Sequence, residues 1–219
     1  MFQKEAINKM GKVFCSWSGG KDSTLALYYG LKKFTTIDYL FTMLSEDKIH
    51  SRAHGLPKHI LEQQAKSLGL PLITKSSSWE NYEKNFLKFL EEYAYSGIGI
   101  FGDIDLQAHL DWVKNVCSKK NVKVFEPLWQ RKRKDIVKEF LLLGFKAKII
   151  SIKKELKNFL GRDLSLDLIE EFEKMGIDVC GENGEYHTFV YDGPIFKFPI
   201  KFKVKSTIEK SGKFILEIV

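Results

Sequence analysis

Ser18-Gly19-Gly20-Lys21-Asp22-Ser23 sets two glycines, a lysine, an aspartate and two hydroxyls between the apolar run Val13-Phe14-Cys15-Ser16-Trp17 and helix-forming sequence. Adjacent glycines let the backbone fold tightly and bring its N–H groups up to an anion, while a helix that starts there adds free N–H groups and its positive dipole end. Lys21 would contribute a mobile positive charge, and Ser18 and Ser23 hydroxyl donors. That chemistry is a phosphate cradle. The spacing is neither G-x-x-x-x-G-K-[ST] nor G-x-G-x-x-G, so neither of those mechanisms transfers. An ordinary strand-to-helix turn is the plain alternative. A second constellation is Cys180-Gly181-Glu182-Asn183-Gly184-Glu185-Tyr186-His187-Thr188-Phe189. Glycines around Glu182 and Asn183 predict a tight backbone excursion that presents Glu182, Glu185 and His187 together. Two carboxylates beside an imidazole suit binding of an amine or cation, or deprotonation of ammonium. The alternative is a glycine turn with surface acids. Cys180 is either a nucleophile or, as is commoner for a lone cysteine among apolar neighbours, buried and inert.

These residues need elements to hold them, and the hydrophobic pattern supplies an alternation. After a short polar leader it predicts strands at about 12–17, 37–44, 70–74, 98–101 and 122–125, with helices between them. Helix signals include Leu61, Ala65 and Leu68 closed by Gly69, and a Ser77/Glu80 capping box ahead of an aromatic stripe of Tyr82, Phe86, Phe89, Leu90 and Tyr93 that reads as core. Strand–helix alternation implies an α/β fold, a parallel doubly wound sheet of about five strands, with ligands beyond the carboxyl ends of the strands. The glycine turn and Gly102-Asp103-Ile104-Asp105 are both strand-end segments, facing each other if the first and fourth strands are neighbours. Asp103 and Asp105 are then candidates to hold magnesium or orient a nucleophile, with helix N-capping as the competing role. Beyond Pro127 the pattern changes to helices and two-residue alternation. Phe198, Ile200, Phe202 and Val204 predict one strand and Phe214, Leu216 and Ile218 another, an antiparallel hairpin about Lys210-Ser211-Gly212-Lys213. The division expected is residues 1–127 as one domain and 128–219 as a smaller α+β domain.

With 44% hydrophobic and 29% charged residues, the 219-residue chain has the composition of a soluble globular protein. No apolar run approaches bilayer length and no secretory leader stands out, which predicts a cytoplasmic protein with no membrane partner. Cys15, Cys117 and Cys180 are odd in number and widely spaced, as reduced thiols would be, and no C-x-x-C pair supports structural zinc. A formal net charge of +7 suits an anionic partner, either a nucleotide or nucleic acid. The densest basic run, Arg131-Lys132-Arg133-Lys134, reads as a solvated loop ahead of a helix, with RNA or phosphate binding as its alternative. No basic surface interleaved with aromatics accompanies it, so nucleic acid is the less expected partner.

Ser18 to Ser23 resembles the signature of the PP-loop ATP pyrophosphatases, which cleave ATP between its α and β phosphates. Together with Gly102-Asp103-Ile104, Pro127-Leu128-Trp129, Leu160-Gly161-Arg162 and Cys180 to Phe189, in this order over nearly the whole chain, it is similar to the diphthine–ammonia ligase family of ATP-binding proteins. That family adenylates the carboxylate of diphthine, a modified histidine of translation elongation factor 2, and lets ammonia displace AMP. The resemblance implies ATP on Ser16, Trp17, Ser18, Gly19, Gly20, Lys21, Asp22, Ser23, Met43 and Gly102, with adenine along Ser16, Trp17 and Met43. It implies Mg2+ at Asp22 or Asp103, and an acceptor pocket of Glu182, Glu185 and His187 with Asp103 as a further catalytic group. The partners are ATP, ammonium or an amine donor, and a carboxylate acceptor such as diphthine; a homodimer is compatible. His54 is either an exposed loop histidine or a group that closes over the nucleotide. The chain carries Asn183 and His187 where the family pattern has Gly and Glu, which changes the charge of the pocket and leaves the acid open. A PP-loop enzyme of tRNA modification and a non-catalytic nucleotide-binding or cofactor-salvage protein are the rival readings.

Overall fold

A computed structural model describes residues 11–219, so most of the polar leader lies outside the described residues. Five strands, β1 (Val13–Ser16), β2 (Tyr39–Leu44), β3 (Leu72–Ser76), β4 (Ile98–Ile100) and β5 (Lys123–Phe125), form a parallel sheet in the order β3-β2-β1-β4-β5. Every residue of β2 is buried, because helices cover both faces of a parallel sheet. α1 (Lys21–Lys33), α2 (Lys58–Leu68), α3 (Tyr82–Phe89) and α4 (Gln107–Ser118) make the crossovers, and a π-helical turn over Leu90–Ala94 extends α3. β1 pairs with both β2 and β4, so the order reverses at the end of β1, where the glycine loop begins.

Phe86, Phe89 and Leu90 of the aromatic stripe are core, packed with Phe14, Phe41 and Phe101, whereas Tyr82 and Tyr93 are half-buried at its ends, Tyr82 on the cleft. α2 ends as its sequence predicts, with Gly69 at φ 72°. The Ser77/Glu80 capping box does not form. α3 starts after Asn81, which makes no side-chain cap, and the Ser77 hydroxyl instead accepts from Asn85 Nδ2 at 2.9 Å and donates to Ser78 O.

Beyond α5 (Arg133–Leu142), the strands β6 (Lys146–Lys153), β7 (Tyr186–Asp192), β8 (Val204–Lys210) and β9 (Lys213–Ile218) form a second, antiparallel sheet in the order β7-β6-β9-β8. α6 (Leu166–Lys174) begins at Ser165, whose hydroxyl caps Leu168 N. The β8–β9 hairpin turns at Ser211 and Gly212, both at positive φ, 51° and 75°, as a two-residue hairpin turn requires. Its first strand starts later than the alternation predicts, because Phe198, Ile200 and Phe202 bond and pack elsewhere. Phe198 N donates to Ser67 Oγ, Ile200 N donates to Tyr191 O, and Phe202 packs on Phe189. Alternation reports burial on one side, and here α2 and β7 provide it in place of β9.

The two sheets share apolar cores. Leu25 of α1 packs with Ile149, Phe172 and Val190, while Cys15 and Trp17 at the end of β1 share a cluster with Phe189, Leu216 and Ile218. No helix among the described residues is long and apolar enough to cross a membrane.

Gln64 of α2 is wholly buried at this junction. Its Oε1 accepts from Trp17 Nε1 at 3.1 Å, and its Nε2 donates to Gly19 O at 3.1 Å and to Val190 O at 2.7 Å. Gln64→Leu keeps the volume but strands these partners in an apolar setting. It should cost about 2–4 kcal/mol of unfolding free energy, read as a lower midpoint in urea; an unchanged midpoint contradicts the role given to this amide.

Candidate active site

The loop hands over to α1 at Gly20, an N-cap without a side-chain acceptor; Thr188 Oγ1 takes the Lys21 amide at 3.1 Å, so an anion would meet the helix dipole and the remaining first-turn amides. The glycines also answer to packing. Gly19 sits at φ +79°, and a Cβ there would lie 2.7 Å from Gln64 Oε1; at Gly20 it would lie 2.3 Å from His54 Cε1. Ser18 and Ser23 face each other, their hydroxyls 3.0 Å apart. Lys21 differs from the mobile charge its sequence context predicts. It is buried, with Nζ 2.8 Å from Asp22 Oδ2 and over the Tyr186 ring at 5.6 Å. Burial works to lower its pKa, but Asp22, with Tyr186, Cys180 and Glu182 behind it, outweighs burial and raises it. The other Asp22 oxygen, Oδ1, is buried without a partner.

A cleft of about 340 Å³ opens at the carboxyl ends of the parallel sheet. Of the residues anticipated from sequence, Ser16, Trp17, Ser18, Lys21, Asp22, Ser23, Met43, Gly102, Asp103, Glu182 and His187 line it. Gly19 and Gly20 are not among its lining residues. Glu185 is not either: its carbonyl accepts from Lys153 N, and its Oε2 is buried without a partner. Gly102 is needed for contact, since a Cβ there would lie 2.9 Å from the Asp22 carbonyl carbon. The end of β4 thus abuts the start of α1.

Neither Asp103 nor Asp105 caps α4, whose N-cap is Leu106. Asp103 Oδ1 lies 3.3 Å from His109 Nδ1, and this contact raises the pKa of His109. Asp105 takes a two-pronged contact from Arg133 at 2.7 Å for each pair. Arg133 also holds Asp178 at 2.6 Å, and Asp178 accepts from Cys180 N and Glu182 N. This chain fixes the turn that delivers Glu182 to the cleft. It also redefines the basic run: Arg131 bonds Glu139 and Tyr29, Arg133 bonds two aspartates, and Lys134 pairs with Glu173, so three of its four charges are engaged within the chain. Cys180 is buried at the cleft wall, with its thiol donating to Arg133 O and its pKa pushed up by burial, which disfavours the thiolate. Burial, then the Asp22 charge, also pushes the Glu182 carboxyl up, against the pull of Lys21 and Arg133.

His54 is no exposed loop histidine. Its ring stacks on His187 with centroids 4.7 Å apart and an interplanar angle of 28°, and its Nδ1 lies 3.2 Å from Thr188 O. Lys213 Nζ donates to His187 Nε2 at 3.3 Å. Burial, reinforced by neighbouring positive charge, brings His54 down to about 4; for His187, burial and the His54 and Lys213 neighbours bring it to about 2. Both are neutral at pH 7.

Sequence reasoning missed Arg52, Trp79, Tyr82 and His109, which line the cleft from loops and helix starts with no motif spacing to mark them. No cluster of three or more metal-ligating side chains occurs among the described residues. Asp22 and Asp103 with an orphaned carboxylate oxygen nonetheless fit magnesium, which is usually held by one or two carboxylates plus phosphates.

Fold and cleft define an α/β protein with a helix start opening into a cleft at the switch point of a parallel sheet. Two family models, described as diphthamide synthase N-terminal domain and diphthamide synthase C-terminal domain, match residues 11–124 and 132–218. The chain belongs to the diphthamide synthase family. It is 38% identical over 91 residues to the diphthine–ammonia ligase of Homo sapiens, covering 39% of this chain and 34% of that protein. It is 24% identical over 223 residues to that of Saccharomyces cerevisiae, covering 82% of this chain and 33% of that protein. The chain thus spans about a third of the length of the curated relatives it matches. A crystal structure titled as a predicted subunit of tRNA methyltransferase from Methanocaldococcus jannaschii superposes with a TM-score of 0.46 over 84% of this chain and 100% of its own, at 17% identity, and carries no functional argument.

The neutral imidazoles set a pH dependence. An unfolded histidine protonates near pH ~6.5, while His54 and His187 resist protonation until about 4 and about 2. Below pH ~6.5 the unfolded chain therefore binds more protons than the folded one, and stability falls as pH drops, by up to about 1.4 kcal/mol per pH unit for each imidazole. His187→Gln should flatten the decline between neutral pH and pH ~5 in urea titrations; equal slopes for both proteins would refute the assignment.

Proposed function

We propose that the chain is an ATP-dependent, AMP- and pyrophosphate-forming amide ligase that acts on diphthine with ammonia as the amine donor. One observation carries this reading: the glycine loop and the Glu182–Thr188 segment, which lie far apart in sequence, face each other across a single cleft. The names of the curated relatives and the family match support the reaction class.

In this reading the terminal phosphates of ATP lie at the start of α1, against Ser18, Lys21 and Ser23. The acceptor carboxylate attacks the α phosphorus; a new P–O bond forms, the bond to the bridging oxygen breaks, and pyrophosphate leaves. The helix start and Lys21 are preorganised to take the charge that builds on the leaving group. Magnesium, held by Asp22 and Asp103, would supply charge neutralisation at the phosphates. Ammonia then attacks the acyl carbon, the C–O bond to AMP breaks, and a proton is released. Glu182 receives it, because its desolvated carboxyl has a proton affinity closer to neutral pH than an exposed carboxylate. His54 and His187 form a neutral wall beside it and exclude water.

The assay is release of AMP and pyrophosphate by the full chain with ATP, ammonium and elongation factor 2 that carries diphthine. Release should require both acceptor and ammonium, and Lys21→Ala should lower it about 100-fold or more, the usual effect of removing one preorganised contact to developing charge. ADP as product, or ATP binding without turnover on this acceptor, would overturn the proposal.

A further inference from the structure

Among the described residues, the largest aromatic surface left open to solvent is Trp79, 70% exposed in the loop between β3 and α3. It lines the rim of the same cleft, and two planar groups lie against it. The Arg52 guanidinium is 4.7 Å from its ring centroid, and the Tyr82 ring lies at 5.7 Å and 29°. Arg52 is held in place: its Nε donates to Ser77 O at 2.8 Å, and its backbone N–H donates to Met43 O at 3.0 Å. An indole at this exposure gains stability from anything flat and apolar that covers it.

The cleft is chemically divided. Asp103 and His109 beyond β4, with Glu182 from the turn before β7, form its acidic flank, while Phe41 and Met43 of β2, Tyr82 at the start of α3, and Trp79 with Arg52 form its aromatic flank. With phosphates at the start of α1 between them, the rest of a nucleotide must extend along one flank. An uncharged purine matches the aromatic one, and the acidic one suits an amine or a cation.

We propose that Arg52 and Trp79 form a stacking lid that closes over the adenine ring of the bound nucleotide. The lid rests on the reading of this cleft as an ATP site. It makes both residues positioning groups that discriminate a nucleoside triphosphate from bare polyphosphate. Because Trp79 contributes little to the core, its replacement leaves the fold intact, which a matching urea midpoint verifies.

The test uses the full chain with ATP and inorganic tripolyphosphate as probes. Acrylamide quenches exposed tryptophan far more than the buried Trp17, and Trp79→Phe identifies the share of emission that belongs to Trp79. Saturating ATP should shield that share, and tripolyphosphate should not. By equilibrium dialysis, Trp79→Ala should weaken ATP roughly three- to tenfold, the worth of one aromatic pair, with Trp79→Phe near wild type and tripolyphosphate unchanged in both. Wild-type ATP affinity in Trp79→Ala, or equal shielding by tripolyphosphate, would overturn the lid and leave the ATP site standing. Shielding that appears only with the acceptor protein would overturn it in favour of acceptor docking. Absence of ATP binding by the wild-type chain would remove the nucleotide reading and the lid together.

Discussion

Strand β7 is pressed against the glycine loop, and most of the cleft follows from that contact. Val190 N donates to Gly19 O at 2.9 Å, Lys21 N donates to Thr188 Oγ1 at 3.1 Å, and Gln64 bridges Gly19 O and Val190 O from the other side. Each bond is buried, where a satisfied polar group is stiff and an unsatisfied one is costly. The loop therefore cannot shift without dragging the second sheet, and the second sheet cannot slide without exposing the loop. This is why Glu182 and His187, one on the turn before β7 and one within it, stand opposite the start of α1.

That closeness creates an electrostatic problem, and the charges along the cleft are arranged around it. Asp22, Glu182 and Asp178 crowd one region, and like charges at short range disfavour joint ionisation. Lys21 lies among them from the α1 side, and Arg133 ties Asp178 and Asp105 from the α5 side. The cost falls on Glu182, whose pKa rises because burial and Asp22 outweigh both cations. Lys21 is thereby committed to its carboxylate partner, so its charge is a fixed feature of the wall. A buried ammonium without such a partner would lose its proton or pull water into the core.

The parallel sheet was legible in the sequence because each strand is a short apolar run closed by turn residues, and the helices between them keep their periodicity. The loop was legible because its chemistry is local: glycines, hydroxyls and a helix start in one stretch. What escaped was set by partners distant in sequence. Nothing around Gln64 marks it as the tie between the sheets, and Phe198 to Phe202 alternate like a strand although Ser67 and Tyr191 take their hydrogen bonds. Lys21 looks mobile by residue type, and only its packing under Tyr186 shows otherwise. Arg131 to Lys134 looks like a free basic patch until the acids of α5, α6 and the 105 and 178 loops are placed beside it.

His187 shows how one substitution acts through its surroundings. The resembled family pattern places a carboxylate there, and an imidazole alone could carry either no charge or a positive one. Packed on His54, desolvated, and accepting a hydrogen bond from Lys213 Nζ, it carries none. Since Glu185 is also outside the cleft, Glu182 is the single carboxylate that the second sheet's side of the cleft contributes. On the ligase reading, any cationic group of the acceptor or the amine donor that approaches from this side is therefore recognised by Glu182 alone. Its two tasks then compete: binding a cation requires the ionised form, which its elevated proton affinity disfavours, and accepting a proton consumes that form.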